Sequence, residues 1–346
     1  MQAAFRDKYG APEVVELRDV DGPVPGDDQV LVRVQAASVN RADLDGLTPR
    51  PSFARLFMGL RAPRNHRVGC DVAGVVEAVG PDVRRFVPGD RVFGDLYGHG
   101  LGSFAEYVCA REDAFAAIPP DMAFEVASTL PHSAILAVQG LRLRDGRTVQ
   151  PGDRVLIDGA SGNVGPFAVQ IARSLGAEVT GVCSTAKVDL VRSLGADHVI
   201  DYTKVDYTTT GERYDWILDT DSHHPILRIR RALRPKGVYV TLGGAGSRIL
   251  QAMLAGLPIR WADGKRMGLM LWWKPFKLED VATLTELVAA GKVTPIIDRR
   301  YPLAQLVDAL RYVDDGHARG KVVISAVDRV PATATAIDQR AARTSR

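Results

Sequence analysis

Cysteine is scarce in this chain of 346 residues, which has only Cys70, Cys109 and Cys183. Three scattered cysteines exclude a disulfide framework and predict a cytoplasmic protein. Long apolar runs are lacking too, because the longest candidate, 268–273, falls far short of the ~18 apolar residues of a membrane span. The first residues are polar and charged, so no secretory signal is indicated. These absences predict no membrane partner.

Excess charge of one sign is also absent. The 44 basic and 41 acidic residues leave a net charge of +3, which is too small to indicate a nucleic-acid partner. Apolar residues, in contrast, make up 46% of the chain, which is enough for a full core. Because single cores stop growing near ~250–300 residues, this length predicts two domains.

The first 120 or so residues are predicted to be rich in β-strands. Valine-rich runs at 30–34 and 72–79 are bounded by turn residues at 25–28 and 88–90. Short strands at this spacing are typical of a small barrel or sandwich.

From Arg154 onward, strand and helix patterns alternate. A strand at 155–157 leads through a glycine turn into a helix at 164–175, and a strand at 179–182 follows. Such alternation predicts a parallel sheet covered by helices. Further helices are predicted at 187–194, 226–233, 278–290 and 303–313, and further strands at 199–200, 216–218, 238–240 and 322–324.

The strongest chemical signal is the segment 158–165, DGASGNVG. It follows an apolar strand and precedes an amphipathic helix, which is the context of a dinucleotide-binding turn. Its glycines permit a tight turn and let backbone N–H groups approach a pyrophosphate. The spacing is Gly-x-x-Gly-x-x-Gly rather than the commoner Gly-x-Gly-x-x-Gly. We interpret it as a dinucleotide site.

The choice of dinucleotide is argued from charge. NAD sites carry an acidic residue about 20 positions beyond the glycines, but the second strand here ends in Cys183, Ser184 and Thr185, with Lys187 close behind. Hydroxyls and a lysine suit the 2′-phosphate of NADPH, which a carboxylate would repel. The alternative is that Lys187 is an exposed lysine at a helix start. NADPH is the predicted cofactor.

The sequence resembles the medium-chain dehydrogenase/reductase superfamily and, within it, the zinc-independent quinone oxidoreductase group, over about residues 1–326. The segments that carry the resemblance are 37–43 (ASVNRAD), 69–76 (GCDVAGVV), 86–93 (FVPGDRVF), 102–107 (GSFAEY), the glycine loop, 194–197 (LGAD), 242–244 (LGG) and 320–323 (GKVV).

The resemblance implies an α/β fold with two parts. It implies a GroES-like, β-rich catalytic domain over 1–125, a Rossmann domain with a doubly wound parallel sheet over 126–262, and a return to the catalytic domain over 263–328. Residues 329–346, rich in alanine, threonine and arginine, are predicted to be a disordered tail.

The resemblance also implies functions for matching positions. Ser184, Lys187 and Tyr202 would surround the 2′-phosphate, although Tyr202 is equally explained as a strand-end aromatic. Asn40 and Asp43 would lie near the nicotinamide and substrate, with Tyr97 near the pocket mouth. The expected cofactor residues are Asn40, Ser161, Gly162, Asn163, Val164, Gly165, Ser184, Lys187, Tyr202, Leu242, Gly243 and Gly244, and the expected catalytic residues are Asn40, Asp43 and Tyr97.

Zinc is not expected. In the alcohol-dehydrogenase branch of the superfamily, the three zinc ligands align with Asn40, Cys70 and His132. A neutral amide is a poor zinc ligand, so we expect a buried Cys70 and a hydrogen-bonded His132 without metal.

Without a Lewis acid, oxidation of simple alcohols is hard. Hydride transfer to a quinone or an α,β-unsaturated carbonyl is easier, because the acceptor delocalises the incoming charge. The predicted function is therefore an NADPH-dependent quinone or enone reductase. Two alternatives remain: a zinc-dependent alcohol dehydrogenase, and a nucleotide-binding sensor or scaffold without turnover.

The segment 247–276 is rich in bulky residues, with three of the four tryptophans and three of the six methionines. Such residues are enriched at interfaces and adaptable pockets, and ordinary core packing explains them equally well. The functional interpretation predicts a homodimer that prefers bulky apolar acceptors.

Overall fold

The chain folds into two β-sheets joined by helices. The computed structural model describes residues 1–49, 55–271 and 273–326, and the side chain of Leu257 is not described. The predicted tail at 329–346 and Trp272 lie outside the described residues.

The strands of the described residues are β1 Gln2–Arg6, β2 Val15–Asp19, β3 Gln29–Val39, β4 Asp71–Val79, β5 Arg91–Asp95, β6 Tyr107–Arg111, β7 Phe115–Ala117, β8 Arg154–Asp158, β9 Glu178–Cys183, β10 His198–Asp201, β11 Tyr214–Asp219, β12 Leu233–Thr241, β13 Arg266–Leu269, β14 Ile297–Pro302 and β15 Lys321–Ser325. The helices are α1 Arg41–Leu47, α2 Arg55–Met58, α3 Phe124–Ser128, α4 Pro131–Gly140, α5 Gly165–Ser174, α6 Val188–Ser193, α7 Ile226–Arg231, α8 Gly246–Asp263, α9 Leu278–Ala289 and α10 Leu306–Asp314.

The first sheet has the order β14-β15-β3-β4-β5-β7, with β6 also paired to β3, and β1 and β2 form a separate hairpin. Val30, Val32 and Val34 of β3 are almost fully buried. They lie on the same face of the strand, because successive side chains of a strand point to opposite faces. The last strand, β15, pairs antiparallel with β3. The C-terminal segment therefore returns to the sheet that the N-terminal residues begin.

The second sheet is parallel, with the order β10-β9-β8-β11-β12-β13. The strand order reverses between β8 and β11, because the chain adds strands first on one side of β8 and then on the other. Open sheets of this kind bind ligands outside the carboxyl ends of their strands at this switch point. The fold class expected from the sequence, a β-rich part and a doubly wound parallel sheet, is confirmed.

The second sheet extends past the boundary expected at 262, because β13 pairs with β12. The helix before it, α8, contains Gly256 and Pro258, which have low helix propensity. A Cβ on Gly256 would lie 2.2 Å from the carbonyl oxygen of Met267, so glycine lets α8 pack directly on β13. The segment 247–276 is thus a helix and an edge strand, in which Met267 and Met270 are buried and Met253 and Trp261 are exposed.

Helix α4 joins the two sheets. Its last residue, Gly140, accepts a hydrogen bond from the indole Nε1 of Trp216 on β11 at 3.1 Å. One apolar cluster includes Phe93 of β5, Phe167 of α5 and Leu218 of β11. The N-terminus of α4 lies under the first sheet, where the polar residues described next are found.

Candidate active site

The glycine loop turns from β8 into α5 at the carboxyl edge of the second sheet. Gly159 has a φ of +81°, which favours glycine. A Cβ on Gly165 would lie 2.2 Å from the carbonyl oxygen of Gly159, so a side chain there would push the loop off the helix. The first N–H groups of α5 lie in the position that favours a pyrophosphate. The same turn holds Ser161, Gly162, Asn163, Val164 and Gly165.

The turn at 242–244 lies beside the end of β11. The backbone N of Leu242 donates to the carbonyl oxygen of Asp219 at 2.9 Å, and Ser222 N donates to Gly243 O at 3.1 Å. The Asp219 carboxylate accepts a hydrogen bond from the Tyr239 hydroxyl at 2.9 Å, and burial raises the pKa of Asp219 to about 6. This turn is therefore fixed by hydrogen bonds at the edge where the dinucleotide is expected.

The residues expected around the 2′-phosphate follow β9 and β10. Ser184 comes directly after β9, and Tyr202, which is 60% exposed, comes directly after β10. Lys187 departs from the expectation of a free cation, because its Nζ donates to the carbonyl oxygens of Gly316 and Ala318 at 2.9 and 2.7 Å. Burial lowers the pKa of Lys187. A 2′-phosphate would have to compete with these two carbonyls.

A carboxylate also lies near this edge. Asp201, the last residue of β10, accepts a hydrogen bond from the Thr185 hydroxyl at 2.6 Å, and the hydroxyls of Thr185 and Thr203 lower its pKa to about 2. The ammonium of Lys204 lies 3.3 Å from Asp201. The sequence at the end of β9 does not reveal this neighbour, because Asp201 comes from the next strand.

The other half of the site is a buried polar cluster around Asn40. The Asn40 amide donates to Asp71 Oδ2 at 2.8 Å, while its carbonyl oxygen accepts from Lys321 Nζ at 2.5 Å and from the Ser133 hydroxyl at 2.7 Å. Lys321 is 1% exposed and Asp71 fully buried, with 3.4 Å between Nζ and Oδ2. Such a buried ion pair requires hydrogen bonds to be stable, and Asn40 supplies one to each partner.

The cluster draws on four separate segments of the chain. Asn40 follows β3, Asp71 begins β4, Ser133 lies in the first turn of α4, and Lys321 begins β15. Asp71 Oδ1 also accepts the backbone N–H of His132 at 2.9 Å, so its carboxylate lies at the positive end of α4. Burial raises the pKa of Asp71, although the Lys321 charge opposes the shift.

Next to this cluster, His132 and Asp95 form a second buried pair. Nδ1 of His132 lies 2.9 Å from Asp95 Oδ2, and the exposed fractions of the two residues are 6% and 0%. The imidazole packs against the rings of Tyr97 and Trp273, with centroid distances of 5.6 and 5.2 Å. Asp95 also accepts the backbone N–H of Tyr97 at 2.8 Å. The pair is thus held by contacts on several sides.

Asp43 and Tyr97 line a cavity of about 240 Å³ beside the cluster. Asp43 Oδ2 accepts the backbone N–H of Asn40 at 2.8 Å, and burial raises the pKa of Asp43 to about 7. Tyr97 is 43% exposed. Asp43 therefore stabilises the start of α1, while Tyr97 lines the cavity and also contacts the His132 ring.

The two halves of the site meet through the segment after β13. Met270 N donates to Thr241 O at 3.0 Å, next to the 242–244 turn, and Trp273, three residues later, packs on His132. The buried polar groups of the first sheet therefore face the carboxyl edge of the second, where the reactive end of a dinucleotide is expected.

Three of these side chains have the geometry for a metal ion. Ligand atoms of Cys70, Asp95 and His132 lie within 4.8 Å of one another. The third candidate ligand is therefore Asp95, and not Asn40 as the aligned positions imply. Asn40 instead donates its amide N–H to the Cys70 sulfur at 3.3 Å. Burial raises the pKa of Cys70, which disfavours the thiolate that a metal requires. Thiolate, imidazole and carboxylate are all zinc-ligand types, so this set would hold a metal only if the Cys70 thiol lost its proton.

Removing metal is expected to leave turnover unchanged. A strong chelator should not alter the rate of quinone or enone reduction, because the surroundings of Cys70 favour its thiol form and Asn40 is a poor ligand. The measurement is elemental analysis of the purified protein together with rates before and after chelation. One zinc ion per chain, lost together with activity, would make Cys70, Asp95 and His132 the ligands.

The structure thus places Asn40, Asp43 and Tyr97 around one site and the glycine loop at the facing edge. Sequence reasoning missed the groups that hold Asn40 in place. A signal was present: Lys321 precedes the apolar run 322–324 and Asp71 opens the apolar run 72–76, and a charge inside a buried strand needs a partner.

Comparison with known proteins agrees with this architecture. Residues 26–120 match the family described as alcohol dehydrogenase GroES-like domain, and residues 194–324 match the family described as zinc-binding dehydrogenase. The chain is 32% identical over 335 residues to the chloroplastic quinone-oxidoreductase QR1 of Triphysaria versicolor, covering 94% of this chain and 98% of that protein. It is 32% identical to the human mitochondrial NAD(P)H oxidoreductase RTN4IP1, covering 94% and 89%. The solved quinone oxidoreductase of Coxiella burnetii is 28% identical, with a TM-score of 0.82 and coverage of 94% and 99%.

The chain belongs to the medium-chain dehydrogenase/reductase superfamily, as a quinone oxidoreductase-like protein. It is an enzyme that uses a nicotinamide cofactor for reduction. Among the helices of the described residues, none has the length and apolar character to cross a bilayer.

Proposed function

We propose that the protein transfers a hydride from NADPH to a quinone or an α,β-unsaturated carbonyl compound, without catalytic zinc. The observation that carries this proposal is the meeting of a dinucleotide loop with a buried polar cluster centred on Asn40, rather than on a zinc ligand set. The relatives' printed names, quinone oxidoreductase and NAD(P)H oxidoreductase, support the same class of reaction.

The residues of this chain bind, orient and exclude water. NADPH supplies the hydride when bound. The N–H groups at the start of α5 would hold the pyrophosphate, and the 242–244 turn would border the nicotinamide. Asn40 is fixed by Lys321 and Ser133 at 2.5 and 2.7 Å and donates its own amide to Asp71 and Cys70. Its side chain therefore positions the cluster and has no free group for the cofactor amide or the acceptor, which departs from the expected catalytic role. Tyr97 and Trp273 provide apolar surface for a ring-shaped acceptor.

The preference for NADPH rests on the end of β9. Ser184 and Thr185 offer hydroxyls there, and Lys204 balances the charge of Asp201 at 3.3 Å. We assign the 2′-phosphate to Ser184, Tyr202 and Lys187.

Lys187→Ala is expected to weaken NADPH binding by about 1–3 kcal/mol, the loss of a charge-assisted bond, while NADH affinity stays the same. Titration with both cofactors, followed by fluorescence, measures this. If Lys187 serves only to hold the loop at 316–318, the variant will instead lose thermal stability with an unchanged ratio of the two affinities. Equal affinity of the unmodified protein for both cofactors would contradict NADPH preference.

The reaction is tested by following NADPH oxidation with quinones, enals, enones and simple aldehydes. We expect turnover with quinones and unsaturated carbonyls and none with saturated aldehydes, because only the former delocalise the incoming charge. Cofactor binding without turnover of any acceptor would instead support the sensor or scaffold.

We further propose a cytoplasmic homodimer. The three cysteines are all free thiols, as in reducing compartments. Strand β13 is the edge of the second sheet, and beside it Leu254, Trp261 and Leu271 are 68%, 86% and 71% exposed. Exposed apolar groups next to an open strand edge favour pairing with a second copy.

Leu254→Asp is expected to convert the dimer to a monomer, since a charge would enter the apolar contact. Sedimentation velocity measures the mass, and Leu227→Asp, on the equally exposed face of α7, is the control. A monomeric unmodified protein would refute the dimer.

A further inference from the structure

The His132–Asp95 pair is a buried acid–base pair that the proposed function has not used. Nδ1 of His132 is hydrogen-bonded to Asp95 Oδ2 at 2.9 Å, so Asp95 fixes the orientation of the ring. Among the described residues, Nε2 has no hydrogen-bond partner. An imidazole that is 6% exposed and has one nitrogen unbonded is set up for a polar group that arrives with a ligand.

The carboxylates around this imidazole favour its charged form. Burial alone lowers the pKa of His132, but the carboxylates of Asp95, Asp71 and Asp43 outweigh that effect, so the pKa is raised above its ordinary value. The groups that face the ring are Asp95 at the end of β5, Asp71 on β4, Asp43 on α1, Lys321 on β15, the Cys70 thiol, and the rings of Tyr97 and Trp273.

The position of His132 relates it to the reaction. It lies in the first turn of α4, next to Ser133, which donates to Asn40. Its ring contacts Trp273, in the segment that follows β13 at the carboxyl edge of the nucleotide-binding sheet. The ring is therefore at the junction between the polar cluster and the reactive end of the cofactor site.

We propose that His132 is the proton donor for enone reduction, with Asp95 as its positioning residue. The proposal rests on the proposed function and adds to it the residue that completes the reaction. It also predicts that His132 is needed for the reduction of enones and not for the reduction of quinones.

The proton and electron balance is complete. When the β-carbon of an enone receives the hydride, a C–H bond forms and the electron pair of the C=C bond moves to the carbonyl oxygen as an enolate. The enolate α-carbon then takes the proton from Nε2 of His132, which leaves a neutral imidazole that solvent reprotonates. The enone is reduced by two electrons and NADPH is oxidised by two. A quinone differs, because its product is protonated on oxygen, where exchange with water needs no catalyst.

The test compares His132→Gln and Asp95→Asn with the unmodified protein. Asp95→Asn should move the fall of enone turnover to lower pH, because the carboxylate that raises the pKa of His132 is gone, and an unchanged pH profile would overturn the positioning role of Asp95. We expect His132→Gln to lower kcat for an enone by about 10²–10⁴-fold, the usual contribution of general acid catalysis, and kcat for a quinone by less than about threefold. His198→Gln, which removes an exposed histidine 3.1 Å from Glu178, is the matched control and should change neither rate. In the unmodified enzyme, enone turnover should fall as pH rises through the pKa of His132, since only the imidazolium donates.

Two readouts do not depend on rate. In deuterated water the unmodified enzyme should place deuterium on one face of the α-carbon, while His132→Gln should give both faces. NMR of the cofactor-free protein should show a histidine that titrates above its ordinary range and is missing from His132→Gln. If that variant does not fold, His132→Ala with added imidazole replaces it, and rescue of the enone rate is the expected result.

The outcomes separate this inference from the proposed function. Absence of turnover with every acceptor overturns both. Quinone reduction without enone reduction, or equal loss of both rates in His132→Gln, overturns the proton donor alone. Stoichiometric zinc that is lost in His132→Gln also overturns it, and makes His132 a ligand.

Discussion

Lys321→Met is expected to lower the free energy of unfolding by about 3–5 kcal/mol, the usual result of removing one partner of a buried ion pair. Lys321 Nζ contacts Asn40 Oδ1, Ser133 Oγ and Asp71 Oδ2, and no solvent is available to replace them at 1% exposure. Asp71 would remain buried without the Lys321 charge that opposes the rise of its pKa, so its carboxyl group would be either uncompensated or forced to take up a proton. Chemical denaturation monitored by tryptophan fluorescence measures the loss.

A second variant tests the cause. Asp71→Asn combined with Lys321→Met should recover part of the stability, because the uncompensated charge is removed along with its partner. Lys292→Met, at an exposed lysine, should change the unfolding free energy by less than about 0.5 kcal/mol. A double variant no more stable than Lys321→Met would show that the pair is not the source of the effect.

Gly165→Ala is expected to damage both folding and cofactor binding. The new Cβ would lie 2.2 Å from Gly159 O and 2.5 Å from the carbonyl carbon of Ala160, and backbone at this distance must move. Overpacking of this kind costs about 1–3 kcal/mol or more. Displacement of the loop should also reduce NADPH affinity at least tenfold, about 1.4 kcal/mol.

Gly162→Ala separates the two effects. Its Cβ would approach only Gly159 O, at 3.4 Å, so the thermal midpoint should stay unchanged while NADPH affinity falls, since this residue faces the pyrophosphate. Thermal unfolding and cofactor titration of both variants give the comparison. A Gly165→Ala protein with native stability and affinity would remove the steric explanation.

The sequence predicted those parts of the fold that have a strong apolar pattern. Helix α5 follows a glycine turn and was predicted within one residue at each end, whereas β3, predicted from its alternating valines at 30–34, extends to Val39. Helix α8 and strand β13 were missed because Gly256 and Pro258 lower helix propensity. Gly256 lets α8 pack closely on Met267, a contact that no local pattern reveals.

For the site, residue types were predictable and contacts were not. Asn40 and the glycine loop stand in recognisable segments. The bond from Lys187 to the carbonyls of Gly316 and Ala318 joins residues far apart in the chain, and the sequence argument treated that lysine as free. The role of Asp95 likewise could not be predicted, because its partner His132 is distant in the sequence and is brought next to it only by the fold.

The buried cluster also has a consequence for protein synthesis. Asn40, Asp71 and Ser133 leave the ribosome long before Lys321, which starts β15. Domains generally fold in the order of their synthesis, but the first sheet here contains Asp71 without its cation until translation passes residue 321. A chain that ends before this residue lacks the cation that faces Asp71 and one of the hydrogen bonds that fix Asn40. Truncation before Lys321 is therefore expected to leave the site incomplete even where the rest of the first sheet has formed.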